Sequence, residues 1–170
     1  KITLTVTIDG TENFIFLKLN PRPKMTSILS YKAENQKIVF EWDSEPYYNC
    51  SHMFANLPAL IEIDLSEFNS KYISDMNCMF CNCTNLTYVN FGKFNASLVE
   101  SMENMFYNCE KLTSINFDEF YDVSSLINMY NMFGNCLKLK TLNLSSFNNN
   151  NYINGDYLFS NCIELTYINF

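Results

Sequence analysis

The chain has 170 residues, 48% of them hydrophobic, with a net charge of −7 and a pI near 4.6. That length carries one domain with a real core, and the apolar share excludes a disordered chain. The acidic balance excludes a nucleic-acid partner and docking on an anionic membrane, and no apolar run approaches the roughly 20 residues of a membrane-spanning helix.

Residue 1 is Lys, with no basic-plus-apolar leader before it, so a mature product or an excerpt of a longer one is expected. "KITLTVTI" alternates Thr with Ile, Leu and Val, "DGTEN" reads as a turn and "FIFLKL" as the returning strand of a β-hairpin. Pro21 and Pro23 end that hairpin, and "KIVFEW" reads as a further strand. Trp42 lies 11 residues before Met53, where later units place Phe, and Cys50 takes the slot held later by Met76. Residues 1–46 therefore read as a β cap with a degenerate first unit, and 47–170 as the repeats proper.

The repeats announce themselves in "MFCNC", "MFYNC", "MFGNC" and "LFSNC". The pairs starting at Met53, Met79, Met105, Met132 and Leu158 are 26, 26, 27 and 26 residues apart. Numbering each pair 1 and 2, position 4 is Asn56, Asn82, Asn108, Asn135 and Asn161. Position 5 is Leu57, then Cys83, Cys109, Cys136 and Cys162. Positions 8, 11, 13 and 16 are apolar throughout, as in Leu86, Val89, Phe91 and Phe94. A period of about 20 to 29 residues is that of leucine-rich repeats.

Within a unit, "LTYVNF" follows the L-x-x-L-x-L strand pattern, with Val89 and Phe91 inward and Tyr88 and Asn90 outward. Ile73, Met76, Phe80 and Cys83 fall on one face of a predicted helix, as do Val99, Met102, Phe106 and Cys109, and Leu126, Met129, Phe133 and Cys136. Asn69, Asn95 and Asp122 stand where N-caps belong, and the Asn at position 4 suits a left-handed C-cap. The expected fold is an α/β solenoid: a right-handed stack with a parallel sheet on one face, short helices on the other and an N-terminal β-hairpin cap. Stacking sets the Cys column as a file of small buried hydrophobes.

The stretch "ISDMNCMFCNCTNLTYVNFGKFNASLVESMENMFYNCEKLTSINF" resembles the BspA-type, or Treponema pallidum-type, leucine-rich repeats, whose theme is M-x-x-M-F-x-x-C-x-x-L-x-x-L-x-L-x-x-F. The resemblance covers about residues 47–170, and "ITLTVTI" with "IVFEWDSEPYYNCSHMF" looks like the lead-in of protist and mycoplasma members. Departures are Leu57 for Cys, Leu158 for Met and Gly155 for the predicted helix Met. The resemblance implies a secreted or cell-surface protein of adhesion or recognition, without catalysis.

Cys78, Cys81 and Cys83 form C-x₂-C-x-C, a spacing open to three readings. One is zinc or an iron–sulfur cluster, with His52 one period before Cys78; another is a Cys78–Cys81 disulfide in an oxidising compartment; the third leaves both at variable surface positions. No metal or cofactor is expected. His52 is the sole His and no nucleophile motif accompanies it, so no enzyme is expected. N-x-[ST] sequons occur at Asn49, Asn82, Asn85, Asn95 and Asn143. Asn82 should be shielded, and glycans are expected at one or more of Asn49, Asn85, Asn95 and Asn143 if a eukaryote secretes the chain.

The outward strand face is the expected binding surface. Position 10 offers Glu62, Tyr88, Ser114, Thr141 and Tyr167, and position 12 offers Asp64, Asn90, Asn116, Asn143 and Asn169. Tyr with Asn suits a carbohydrate or a polar protein, pairing flat rings with amide hydrogen bonds. The competing expectation is a structural subunit: unit five stops at "YINF" without a polar closing segment, so head-to-tail self-association would cover that edge.

Overall fold

The computed structural model describes residues 2–8, 36–42, 48–66, 68–147 and 152–170. Strand β1 (Ile2–Ile8) lies between β2 (Gln36–Trp42) and β3 (Leu60–Asp64), antiparallel to both, with Val6 level with Ile38 and with Ile63. The hairpin partner of "KITLTVTI" is therefore the "KIVFEW" strand; the expected "FIFLKL" strand, its turn and the two Pro residues lie outside the described residues. By lying antiparallel on β3, β1 occupies the backbone edge that the first parallel strand would otherwise leave open.

From β3 onward, pairing runs parallel at an offset of one unit. Glu62, Ile63 and Asp64 pair with Tyr88, Val89 and Asn90 of β4 (Tyr88–Asn90). Further along, β5 (Ser114–Ile115) pairs with β6 (Thr141–Asn143), and β6 with β7 (Tyr167–Asn169). The sheets are two, in the orders β2-β1-β3-β4 and β5-β6-β7, and neither closes into a barrel.

The columns predicted from the repeat are the core. Phe54, Phe80, Phe106 and Phe133 are at most 1% exposed, and their rings stack in sequence at 5.4, 5.3 and 5.6 Å. Phe159 continues the file at 6.0 Å from Phe133. Phe94, Phe120 and Phe147 form a second file, at 4.7 and 6.1 Å. Phe91 and Phe117 sit between the files and meet both edge-on. Rings recur near the strand spacing of about 4.8 Å because each unit advances the chain by one strand. Each such ring contributes roughly 1.5–3 kcal/mol by leaving water.

The helices predicted opposite the sheet are absent. The only helical element among the described residues is a single 3-10 turn, Ser145–Phe147; residues 77–82, 103–108 and 130–135 are successive turns. The hydrogen bonds give the reason. In an α-helix every N–H reaches back four residues. Here the N–H groups of Met79, Cys81 and Cys83 reach back three, to Met76, Cys78 and Phe80. The intervening N–H groups of Cys78, Phe80 and Asn82 leave the unit for the carbonyls of Glu103, Met105 and Tyr107. Two left-handed residues per unit make this possible: His52, Cys78, Asn104, Asn131 and Tyr157 just before position 1, and the position-4 Asn residues, with φ between 51° and 63°. Asn tolerates that conformation because its short amide satisfies neighbouring groups. Turns of this spacing point apolar side chains inward at three- and four-residue intervals, which is the pattern a helix would also produce.

The predicted caps do cap, though no helix follows. Asn69, Asn95 and Asp122 each accept the N–H two residues on, from Lys71, Ser97 and Ser124. A second row of parallel bridges runs Asn49, Asp75, Ser101, Asn128 and Asn154 across the turns, one residue per unit. The position-4 amides form a ladder of their own, Asn82 to Asn56 at 2.9 Å, Asn108 to Asn82 at 3.0 Å and Asn161 to Asn135 at 2.8 Å.

Candidate functional site

The alternation of each strand sends position 11 into the core and positions 10 and 12 outward. Ile63, Val89, Ile115 and Leu142 are buried, while Glu62, Tyr88, Ser114, Thr141 and Tyr167 are exposed. Position 12 is different in kind. Asp64, Asn90, Asn116 and Asn143 each accept the N–H two residues ahead, from Ser66, Gly92, Asp118 and Ser145. They also bond sideways: Asn90 donates to Asp64 at 3.1 Å, and Asn169 to Asn143 at 2.9 Å. The position-12 side chains hold the chain where it leaves the sheet.

A groove of about 350 Å³ runs across this face. Its walls and floor are Tyr88, Ser114, Asn116, Asp118, Thr141, Asn143, Tyr167 and Asn169, with the backbone level set by Ile115 and Leu142. The shape follows from the position-10 sequence: small Ser114 and Thr141 lie between two large rings, so the face dips between Tyr88 and Tyr167. It also spans the break between the two sheets, since β4 carries Tyr88 and β5 carries Ser114. Tyr88 and Tyr167 lie three units apart, about 14 Å at the usual strand spacing. Both rings are more than half exposed, at 52% and 61%.

Sequence reasoning placed Tyr88, Ser114, Asn116, Thr141, Asn143, Tyr167 and Asn169 on one face, and all seven line the groove. Glu62, Asp64 and Asn90 lie on β3 and β4 outside its lining. Asp118 was missed. Among the described residues it is the only charged one on the lining, and it accepts the Asn143 amide at 2.8 Å. Its signal in the sequence was faint: position 14 is otherwise Ser66, Gly92 and Ser145.

A family model described as Mycoplasma protein of unknown function, DUF285, matches residues 23–120 and again residues 89–168. The chain belongs to this family. Its two overlapping matches jointly run from residue 23 to residue 168. No curated protein and no solved structure matches this DUF285 chain.

The other predicted sites of this DUF285 chain lie away from the groove, apart from Asn143. Asn49 is exposed and donates to Asp75 at 3.2 Å. Asn85, Asn95 and Asn143 are half-buried, and Asn85 donates to the Pro58 carbonyl at 2.7 Å. Asn82, expected to be shielded, is half-buried within the amide ladder. His52 is exposed. Among the described residues no group of three or more His, Cys, Asp or Glu is placed to hold a metal ion. No helix among them is long and apolar enough to cross a membrane.

All seven thiols are free. Cys83, Cys109, Cys136 and Cys162 stand in one file, each donating to the carbonyl of the position-2 Phe in the unit before, at 3.0–3.2 Å. Burial pushes the Cys83 thiol up to about 12, and burial also raises those of Cys109 and Cys136. Cys50 is buried and also raised to about 12, by burial and then by the Asp75 carboxylate. These thiols are therefore donors and packing groups rather than nucleophiles.

Proposed function

We propose that this chain is a BspA-type leucine-rich-repeat solenoid of the cell surface, a recognition or adhesion module that takes a neutral, hydroxyl-rich ligand such as a glycan chain in the groove from Tyr88 to Tyr167. The observation that carries the reading is the lining itself: two exposed rings flank small hydroxyl residues, with three amides and one carboxylate around them. Aromatic faces pack on the apolar face of a sugar ring, while amides and Asp118 supply donors and acceptors to its hydroxyls. A volume of about 350 Å³ falls within the range of small-ligand sites. Asp118, in a chain of net charge −7, disfavours acidic ligands. The repeat theme and the sequons support a surface location, with glycans at one or more of Asn49, Asn85, Asn95 and Asn143 if the chain is secreted by a eukaryote.

The test is capture of the full chain on a panel of neutral and acidic oligosaccharides, with polar peptides as a comparison arm. The reading expects retention on neutral glycans and weaker retention on acidic ones. Retention on peptides alone would leave a recognition module of another ligand class, and retention on nothing would contradict the reading.

A further inference from the structure

Cys78 and Cys81 are the two corners of one tight turn. Cys78 is left-handed, with φ of 54°, and the Cys81 N–H bonds the Cys78 carbonyl at 3.1 Å. Their thiols are half-buried, on the same side of the turn. The facing of these two places is built into the repeat. Two units on they hold Asn131 and Gly134, where a Cβ on Gly134 would overlap the Asn131 side-chain oxygen. The other units put His52 with Ala55, Asn104 with Tyr107 and Tyr157 with Ser160 there, so the second unit alone has sulfur at both.

We propose that the turn from Cys78 to Cys81 is a redox modification site, which takes up an intramolecular disulfide by exchange with a small-molecule disulfide. One of the two attacks first. Its thiolate displaces one thiolate from the small disulfide and forms a mixed disulfide. The other then gives up its proton, attacks the protein sulfur of that mixed disulfide and expels the second small thiolate. The protein loses two hydrogens, and the small disulfide is reduced to two thiols. The bond adds a covalent lock to the left-handed corner that backbone hydrogen bonds at Cys78 already hold.

The third cysteine of the motif does not compete, because the Cys83 thiol is buried and bonded to the Phe54 carbonyl.

The experiment treats the native full chain with oxidised glutathione, alkylates remaining thiols and maps the tryptic peptide of residues 72–93 by mass spectrometry. The expected product lacks two hydrogens and two alkyl groups, with the link between Cys78 and Cys81. A link from Cys81 to Cys83, or glutathione held on single thiols without closure, overturns the proposal. In Cys78→Ser and in Cys81→Ser the remaining thiol of the turn holds the glutathione adduct without closure, and an adduct on neither overturns the proposal. Both variants lie at half-buried positions, and the wild-type link stands as a test should either fail to fold.

Discussion

The Cys109 thiol donates to the carbonyl oxygen of Phe80 at 3.2 Å, and the same oxygen accepts the Cys83 N–H at 3.1 Å. Both lone pairs of a buried carbonyl are thus used, one by its own unit and one by the next. A plain hydrophobe would fill the space and leave one lone pair without a donor. In the first unit Leu57 takes the position instead, without a thiol to donate. Cys109→Ala removes the donor and opens a small cavity, so a loss of about 1–3 kcal/mol is expected. Urea unfolding of the variant measures it; an unchanged midpoint would mean the thiol is incidental.

Alkaline pH should weaken the fold through the same thiols. An unfolded thiol titrates near its ordinary 9.0, whereas folded Cys50 and Cys83 titrate near 12. Folded values above unfolded ones mean that the unfolded chain releases protons first. Their contribution is therefore fully present below 9.0 and is lost as pH rises toward 12. The slope is about 1.4 kcal/mol per pH unit for each buried thiol. Tyr and Lys also titrate there, so Cys83→Ala is the control, and its stability should fall less steeply with pH by about that amount.

Gly92 marks where the second unit leaves the sheet. Its φ is 55°, and an added Cβ would sit 2.7 Å from the Ser66 Cα of the unit before. Gly92→Ala therefore meets both a backbone conformation costly for L-residues and a backbone atom that cannot step aside. A loss of about 2 kcal/mol or more is expected, read as a lowered thermal midpoint.

The groove is tested at its two walls. Tyr88→Ala and Tyr167→Ala should each weaken glycan capture by about 2 kcal/mol, roughly thirtyfold. Both rings are largely in water, so the unfolding midpoint should stay put. Loss of stability together with binding would assign the rings to packing instead.

The sequence disclosed the columns because one rung per unit stacks like on like: Phe80 over Phe54, Asn82 over Asn56, Tyr88 beside Glu62. It misled at Ile73, Met76, Phe80 and Cys83, whose spacing fits a helix but arises from turns that give alternate N–H groups to the next unit. Periodicity reports which side chains point inward, and says nothing of where an amide hydrogen goes. The outward placement of Tyr88 and Tyr167 was readable from the strand alternation. The structural duty of Asn90, Asn116 and Asn143 was not, because an Asx turn needs only an Asn and a backbone two residues ahead. The break between the two sheets that the groove spans was likewise hidden, since no residue type announces it.

Everything above rests on each unit lying beside the next in register. Nuclear Overhauser contacts in a chain with selectively labelled Phe, Ser and Thr read that register directly. The account predicts ring-to-ring contacts from Phe106 to both Phe80 and Phe133, and contacts between Ser114 and Thr141, the pair at the groove floor. Phe106 without contact to either ring, or Ser114 far from Thr141, would contradict it.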